Sequence, residues 1–307
     1  MAADLVFARA RCYCLVLLAG SFGQALAQNS PVDELPRALR DVKPAIGSCR
    51  PDDAQAKDPA SRGAVRKELP PDLACAVSAA ELSALKRADT VFIDTRPASE
   101  YAQFRIDGAL NISVAEARSK AYLRSKPLVL VGDGKGEREL YAACAELKRQ
   151  GFKQVRILRG GMASWLAHDQ AVIGRAPAPD RLIRLSAAEL WRESQFDGNV
   201  VLVGDNREPM LADLPFSVAL GQQSAETIRA ALEQRNKRRK NAPFASVVLV
   251  AGADLSPEQM ERLQRDLKPV PLLVYAETRE ALNRYVGTQK AIWAAQARGP
   301  KQPNCGS

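Results

Sequence analysis

A helix-opening hexapeptide occurs twice in this chain, and the repetition constrains the fold more than any other feature. Val77-Ser78-Ala79-Ala80-Glu81-Leu82 recurs as Leu185-Ser186-Ala187-Ala188-Glu189-Leu190. Each copy reads as a capping box, in which the serine hydroxyl serves the amide three residues on and the glutamate reaches back to the serine amide. The segments downstream of the two boxes also correspond. After the first come apolar runs at 90–94, 127–131 and 154–158; after the second come runs at 200–203, 247–250 and 272–275. Helical stretches separate them: 138–150, closed by Gly151, and one opened by Ser256 with Pro257 at its first position. Strands alternating with helices specify a mainly parallel sheet covered on both faces. The chain is therefore expected to form two tandem copies of an α/β/α sandwich, joined by Ala176-Pro177-Ala178-Pro179-Asp180.

The boundaries expected are 75–174 for the first copy and 182–296 for the second. With 307 residues, 46% of them hydrophobic, the chain can bury two cores. Residues 1–27 have the layout of a secretory signal: Arg9 and Arg11, the apolar stretch 12–19, and Ala25-Leu26-Ala27 before the cut. That stretch is too short to span a bilayer, and no later segment is long enough. Residues 28–74 are rich in Pro, Asp, Arg and Ala and are expected to be a flexible leader; 297–307 is a short tail. A periplasmic or secreted protein is the expectation.

The formal charge is +9. Basic chains often meet nucleic acid, but an exported one is not expected to. The densest basic run, 235–240, sits at the end of a helical stretch, where cations complement the helix dipole. Export implies an oxidising compartment, which permits a disulfide. Cys49 and Cys75 flank the polar leader segment and are candidates for one; Cys49 could equally pair with Cys305. Cys144, at helical spacing with Leu140 and Leu147, reads as a small buried hydrophobe. His168 is the only histidine, and no Cys-x-x-Cys pair exists, so no metal or cofactor is expected.

Three groups of residues carry a more specific message. Asp94-Thr95-Arg96, then Glu100-Tyr101, then the stretch Ile106 to Ile112 (Ile-Asp-Gly-Ala-Leu-Asn-Ile) form one set. Gly151-Phe152 and the stretch Leu158 to Trp165 (Leu-Arg-Gly-Gly-Met-Ala-Ser-Trp) form another. Between them lies the loop Asp133-Gly134-Lys135-Gly136-Glu137-Arg138. This arrangement resembles rhodanese-like domains over about 77–170, although the Gly-His pair usual in the family is Phe104-Arg105 here. The resemblance implies a loop whose amides, with a helix N-terminus behind them, cradle a persulfide or an anion. It also implies a loop that opens with cysteine and closes with arginine. The loop length, its glycines and the closing Arg138 are kept; the cysteine position is Asp133.

A carboxylate cannot carry a second sulfur atom, and it repels an anionic sulfur donor. Asp133 is expected to accept the loop's own N–H groups instead. The second copy offers no nucleophile either: Gly252 aligns with Asp133, Pro257 falls where the arginine is expected, and Asp254 reads as a loop acceptor. The expected function is a non-catalytic binding, regulatory or structural module with a protein partner in the cell envelope. Two alternatives stand beside it. One is a thiosulfate-type sulfurtransferase or other small-anion enzyme using Lys135 and Arg138 as ligands and Asp133 as base. The other is a thiol–disulfide-linked role.

Overall fold

A computed structural model describes residues 69–84, 89–214, 216–252 and 255–297. The segment expected to be a secretory signal, most of the expected leader, Cys49, Asp254, Cys305 and the tail beyond 297 lie outside the described residues. No helix among the described residues is long and apolar enough to cross a membrane.

The strands are β1 (Ala76–Val77), β2 (Val91–Asp94), β3 (Phe104–Arg105), β4 (Leu110–Asn111), β5 (Pro127–Val131), β6 (Gln154–Leu158), β7 (Ile173–Gly174), β8 (Arg184–Leu185), β9 (Val200–Gly204), β10 (Val218–Leu220), β11 (Val247–Val250) and β12 (Leu272–Tyr275). They build two five-stranded parallel sheets and one short antiparallel pair, β3 with β7. The first sheet is ordered β1-β6-β5-β2-β4 and the second β8-β12-β11-β9-β10. Counted from the start of each unit, both orders are first, fifth, fourth, second, third. The two sheets fit two tandem copies of a single α/β unit.

The central strands are apolar on both sides because helices cover both faces of a parallel sheet. Along β5, Leu128 and Leu130 enter a core with Tyr141, Cys144 and Leu147, while Val129 and Val131 enter the opposite core with Phe92, Met162 and Trp165. β11 divides likewise: Val247 and Leu249 on one face, Val248 and Val250 on the other. Both capping boxes form. The Ser78 amide donates to Glu81 Oε2 at 2.8 Å and the Ser186 amide to Glu189 Oε2 at 2.7 Å.

Three readings of the sequence change. Cys75 pairs with Cys144, not with Cys49: the S–S distance is 2.02 Å and the Cα–Cα distance 6.6 Å. The Leu73–Cys75 turn leads into β1, β1 pairs with β6, and the helix Glu137–Arg149 packs over β6, which places both cysteines in one fully buried core. Order also begins before residue 75, since Asp72 caps the Leu73–Cys75 turn and its carboxylate meets Lys148 Nζ at 2.9 Å. The joint between the copies is partly helical, Pro179–Ile183, with proline in its first turn.

The copies are packed together. Phe196 and Ala245 of the second copy belong to a core of the first, and Ala163 of the first belongs to a core of the second. Phe196 lies 6.2 Å from the Tyr141 ring, centroid to centroid.

Candidate functional site

The loop after β5 turns on two glycines held at positive φ. Gly134 and Gly136 have φ of 112° and 62°, the region that L side chains rarely adopt. Gly161 lies against the loop so closely that an added Cβ would stand 2.3 Å from the Gly134 nitrogen. From there the helix Gly161–Ala167 donates two of its free N-terminal amides into the loop: Met162 N–H to the Gly132 carbonyl at 2.9 Å and Ala163 N–H to the Asp133 carbonyl at 3.2 Å. A Cβ on Gly160 would meet Pro271 of the second copy at 2.7 Å. The glycine pair thus serves two close approaches, one to the loop and one to the neighbouring copy.

Asp133, Lys135 and Gly136 of the loop have definite partners. Asp133 Oδ1 accepts the Lys135 N–H at 2.8 Å, a bond internal to the loop. The Gly136 N–H does not face an open cradle. It donates to Glu193 Oε1 at 2.5 Å, and Glu193 belongs to the second copy, on the helix Ala187–Ser194. Glu193 Oε2 is held by the Asn199 side-chain amide at 2.9 Å. Lys135 Nζ donates to the Arg184 carbonyl at 2.7 Å and to Glu189 Oε1 at 3.0 Å. Glu189 therefore does two jobs: one oxygen closes the repeated capping box, the other seats the loop lysine.

Glu137 and Arg138 fall where helix geometry puts them. The helix begins at Glu137, so the glutamate turns inward and the arginine outward. Arg138 is exposed and lines a surface hollow with Val114, Arg118 and Glu146 instead of closing the loop. Glu137 is 3% exposed, with Oε1 lacking a hydrogen-bond partner and Oε2 receiving the Tyr141 hydroxyl at 3.4 Å. Burial first, and then the Glu193 charge, push the Glu137 carboxyl up to about 8. Burial also raises Glu193, though the Gly136 and Asn199 hydrogen bonds work against it. The loop thus has carboxylates around it, and one of them accepts the Gly136 N–H.

The framework residues hold the strand ends. Asp94 and Arg96 form a buried ion pair at 2.7 Å, and Arg96 Nη2 also donates to the Phe104 carbonyl at 2.7 Å. His168 follows the helix Gly161–Ala167, with Nδ1 2.8 Å from the Ser164 carbonyl. Among the described residues, no group of three His, Cys, Asp or Glu side chains is placed to hold a metal ion.

Glu193 and Glu189 were not singled out in the sequence as site residues. The available signal was weak: Glu193 lies three residues after Leu190 on the buried stripe of an amphipathic helix, a position where an acid demands a partner.

No curated protein matches the chain. Among solved structures, it is similar to a rhodanese-related protein from Thermoplasma volcanium, with 24% identity over 33% of this chain and 98% of that one and a TM-score of 0.28. It is also similar to a thiosulfate sulfurtransferase from Pseudomonas aeruginosa, with 18% identity over 69% of this chain and 42% of that one and a TM-score of 0.29. The family profile described as rhodanese-like domain matches residues 78–168, the stretch that contains the loop, the buried Asp94–Arg96 pair and the glycine pair: this part of the chain is a rhodanese-like domain.

Proposed function

We propose that the protein is an exported, non-catalytic member of the rhodanese-like group, a binding or structural module whose second copy is a divergent repeat of the first. The observation that carries this reading is the Glu193 carboxylate seated on the Gly136 N–H. A sulfur carrier needs a soft nucleophile with free space before it. Here the nucleophile position is Asp133, bonded within its own loop, and the position of an incoming anion is taken by a side chain of the same molecule. Lys135, the cation that an anionic substrate would need, is already engaged by Glu189 and the Arg184 carbonyl.

The buried Cys75–Cys144 bond supports an oxidising compartment and hence export. Its complete burial also argues for a structural bond over a thiol-exchange role. The partner is a protein of the cell envelope, met through surface outside the filled loop.

The test is a thiosulfate-to-cyanide transfer assay with the purified chain. No thiocyanate is expected from the native protein, and calorimetric titration with thiosulfate, sulfite and phosphate is expected to give no heat at the loop. The double variant Asp133→Cys with Glu193→Ala restores a thiol and empties its seat, and is the variant in which transfer should first become measurable. Robust turnover by the native chain, lost in Asp133→Ala, would overturn the proposal.

A further inference from the structure

A second concave site lies in the second copy, away from the loop. It is a half-open cavity of about 210 Å³ between the start of β9, the edge strand β10 and the helix Ala225–Arg238. Its floor is apolar, with Val200, Leu202 and Ala231. At its mouth stand Phe216 and Val218, 70% and 47% exposed. Such side chains gain by being covered. Phe216 is held at a φ of 60°, a conformation that a bulky residue adopts at a cost and that often marks a working surface.

The polar side of the cavity is dominated by guanidinium groups. Arg235, Arg238 and Arg239 all line it, against the single acid Asp197. Among the described residues none of the three forms an ion pair with a carboxylate. Arg239 reaches only the Asp197 carbonyl, at 3.5 Å. Arg235 is fixed in place: its guanidinium stacks 5.0 Å from the Phe244 ring centroid, Arg159 stacks 4.6 Å from the same centroid, and Arg235 Nη1 donates to the Ala242 carbonyl at 2.6 Å. Burial, and then the Arg239 and Arg159 charges, lower the Arg235 pKa, so the cations stand close enough to repel one another. An anion at Arg239 would relieve that repulsion and, with Arg238 also lining the cavity, would find donors suited to a planar or tetrahedral oxyanion.

We infer that this cavity is a binding site for a small organic anion, one aromatic ring bearing a phosphate or carboxylate, with the ring under Phe216 and Val218 and the charged group between Arg238 and Arg239. At about 210 Å³ the cavity lies below the roughly 300–1,000 Å³ of pockets that bury drug-sized ligands, and it suits one ring with its substituent.

The test is calorimetric titration of the full chain with phenyl phosphate and with benzoate, using inorganic phosphate as the charge-only probe. At least one aryl anion is expected to bind tenfold or more tightly than inorganic phosphate. The double variant Arg238→Ala with Arg239→Ala should weaken that binding at least tenfold, and Phe216→Ala several-fold. Both arginines and the phenylalanine are exposed, so the unfolding midpoint should not move and a loss of binding is not a loss of fold. Asp133→Ala should leave affinity unchanged, which separates this cavity from the rhodanese-like loop. No heat with either aryl anion, equal affinity for inorganic phosphate, or binding that survives the double arginine variant would each overturn the inference.

Discussion

Replacing Glu137 by glutamine should flatten the dependence of stability on pH between about 5 and 8.5. Glu137 is buried beside Glu193, Asp133, Tyr141 and Arg159, and its carboxyl is pushed from an ordinary 4.5 up to about 8. A carboxyl with a raised native pKa keeps a proton in the folded state that the unfolded chain has already released. Stability is then fully present below the unfolded value and falls as pH rises from there, until the folded value is passed. The slope is at most about 1.4 kcal/mol per pH unit, and the whole shift corresponds to a ceiling on the order of 5 kcal/mol, which opening of the seam between the copies would lower. Acids with lowered pKa values, such as Glu81 and Glu189, act in the opposite sense and lose their contribution only on acidification, which leaves this window to Glu137 and to the neighbouring Glu193, also raised by burial. Glutamine keeps the size of the side chain and an acceptor for Tyr141 but carries no charge. The assay is urea unfolding at pH 5.5, 7.0 and 8.5. The native chain should lose stability across the series, and Glu137→Gln should lose less than half as much and be the more stable of the two by about 2 kcal/mol or more at pH 8.5. Parallel pH profiles for the two proteins would refute the assignment of the buried charge.

The other predictions concern covalent and steric restraint. Removing the disulfide with Cys75→Ala and Cys144→Ala should cost roughly 4 kcal/mol, as expected in the chain-entropy model for a link across 69 residues, read as a lower urea midpoint; a loss under about 1 kcal/mol would refute its structural weight. Gly161→Ala should destabilise by about 2 kcal/mol or more because its Cβ would meet the Gly134 nitrogen at 2.3 Å, whereas Gly221→Ala, with nothing within 4 Å, should be nearly neutral in the same unfolding assay. Glu193→Ala should leave the Gly136 N–H without its acceptor and raise its hydrogen-exchange rate at least tenfold, with little change in the exchange of β11.

The strands and the repeat were legible because their signals are local. Four- and five-residue runs of Val and Leu such as 128–131 and 247–250 have one use in a doubly covered sheet, and both serine–glutamate boxes formed at the residues that spelled them. The loop was legible as a position, and Asp133 accepts a loop amide as its chemistry required. Its closure was not. Arg138 was expected to face the cradle from its place at the end of a six-residue motif, but the helix starts one residue earlier, and a turn of about 100° sends its side chain to solvent. The disulfide escaped for a related reason: Cys144 reads as a helix-core residue, which it is, and only the β1–β6 pairing brings Cys75 beneath it. Glu193 was hidden because its partner amide stands 57 residues upstream, and nothing in a short helix announces a contact at that distance.

The Glu193 side chain competes for the loop from within the same molecule. A tethered group meets its site at an effective concentration of millimolar or more even when the tether is slack, and here the tether is a packed seam shared by two cores. On the reading proposed above, a free anion arriving from solution competes for the Gly136 N–H with that permanent neighbour, so scarce solutes would leave the loop unchanged.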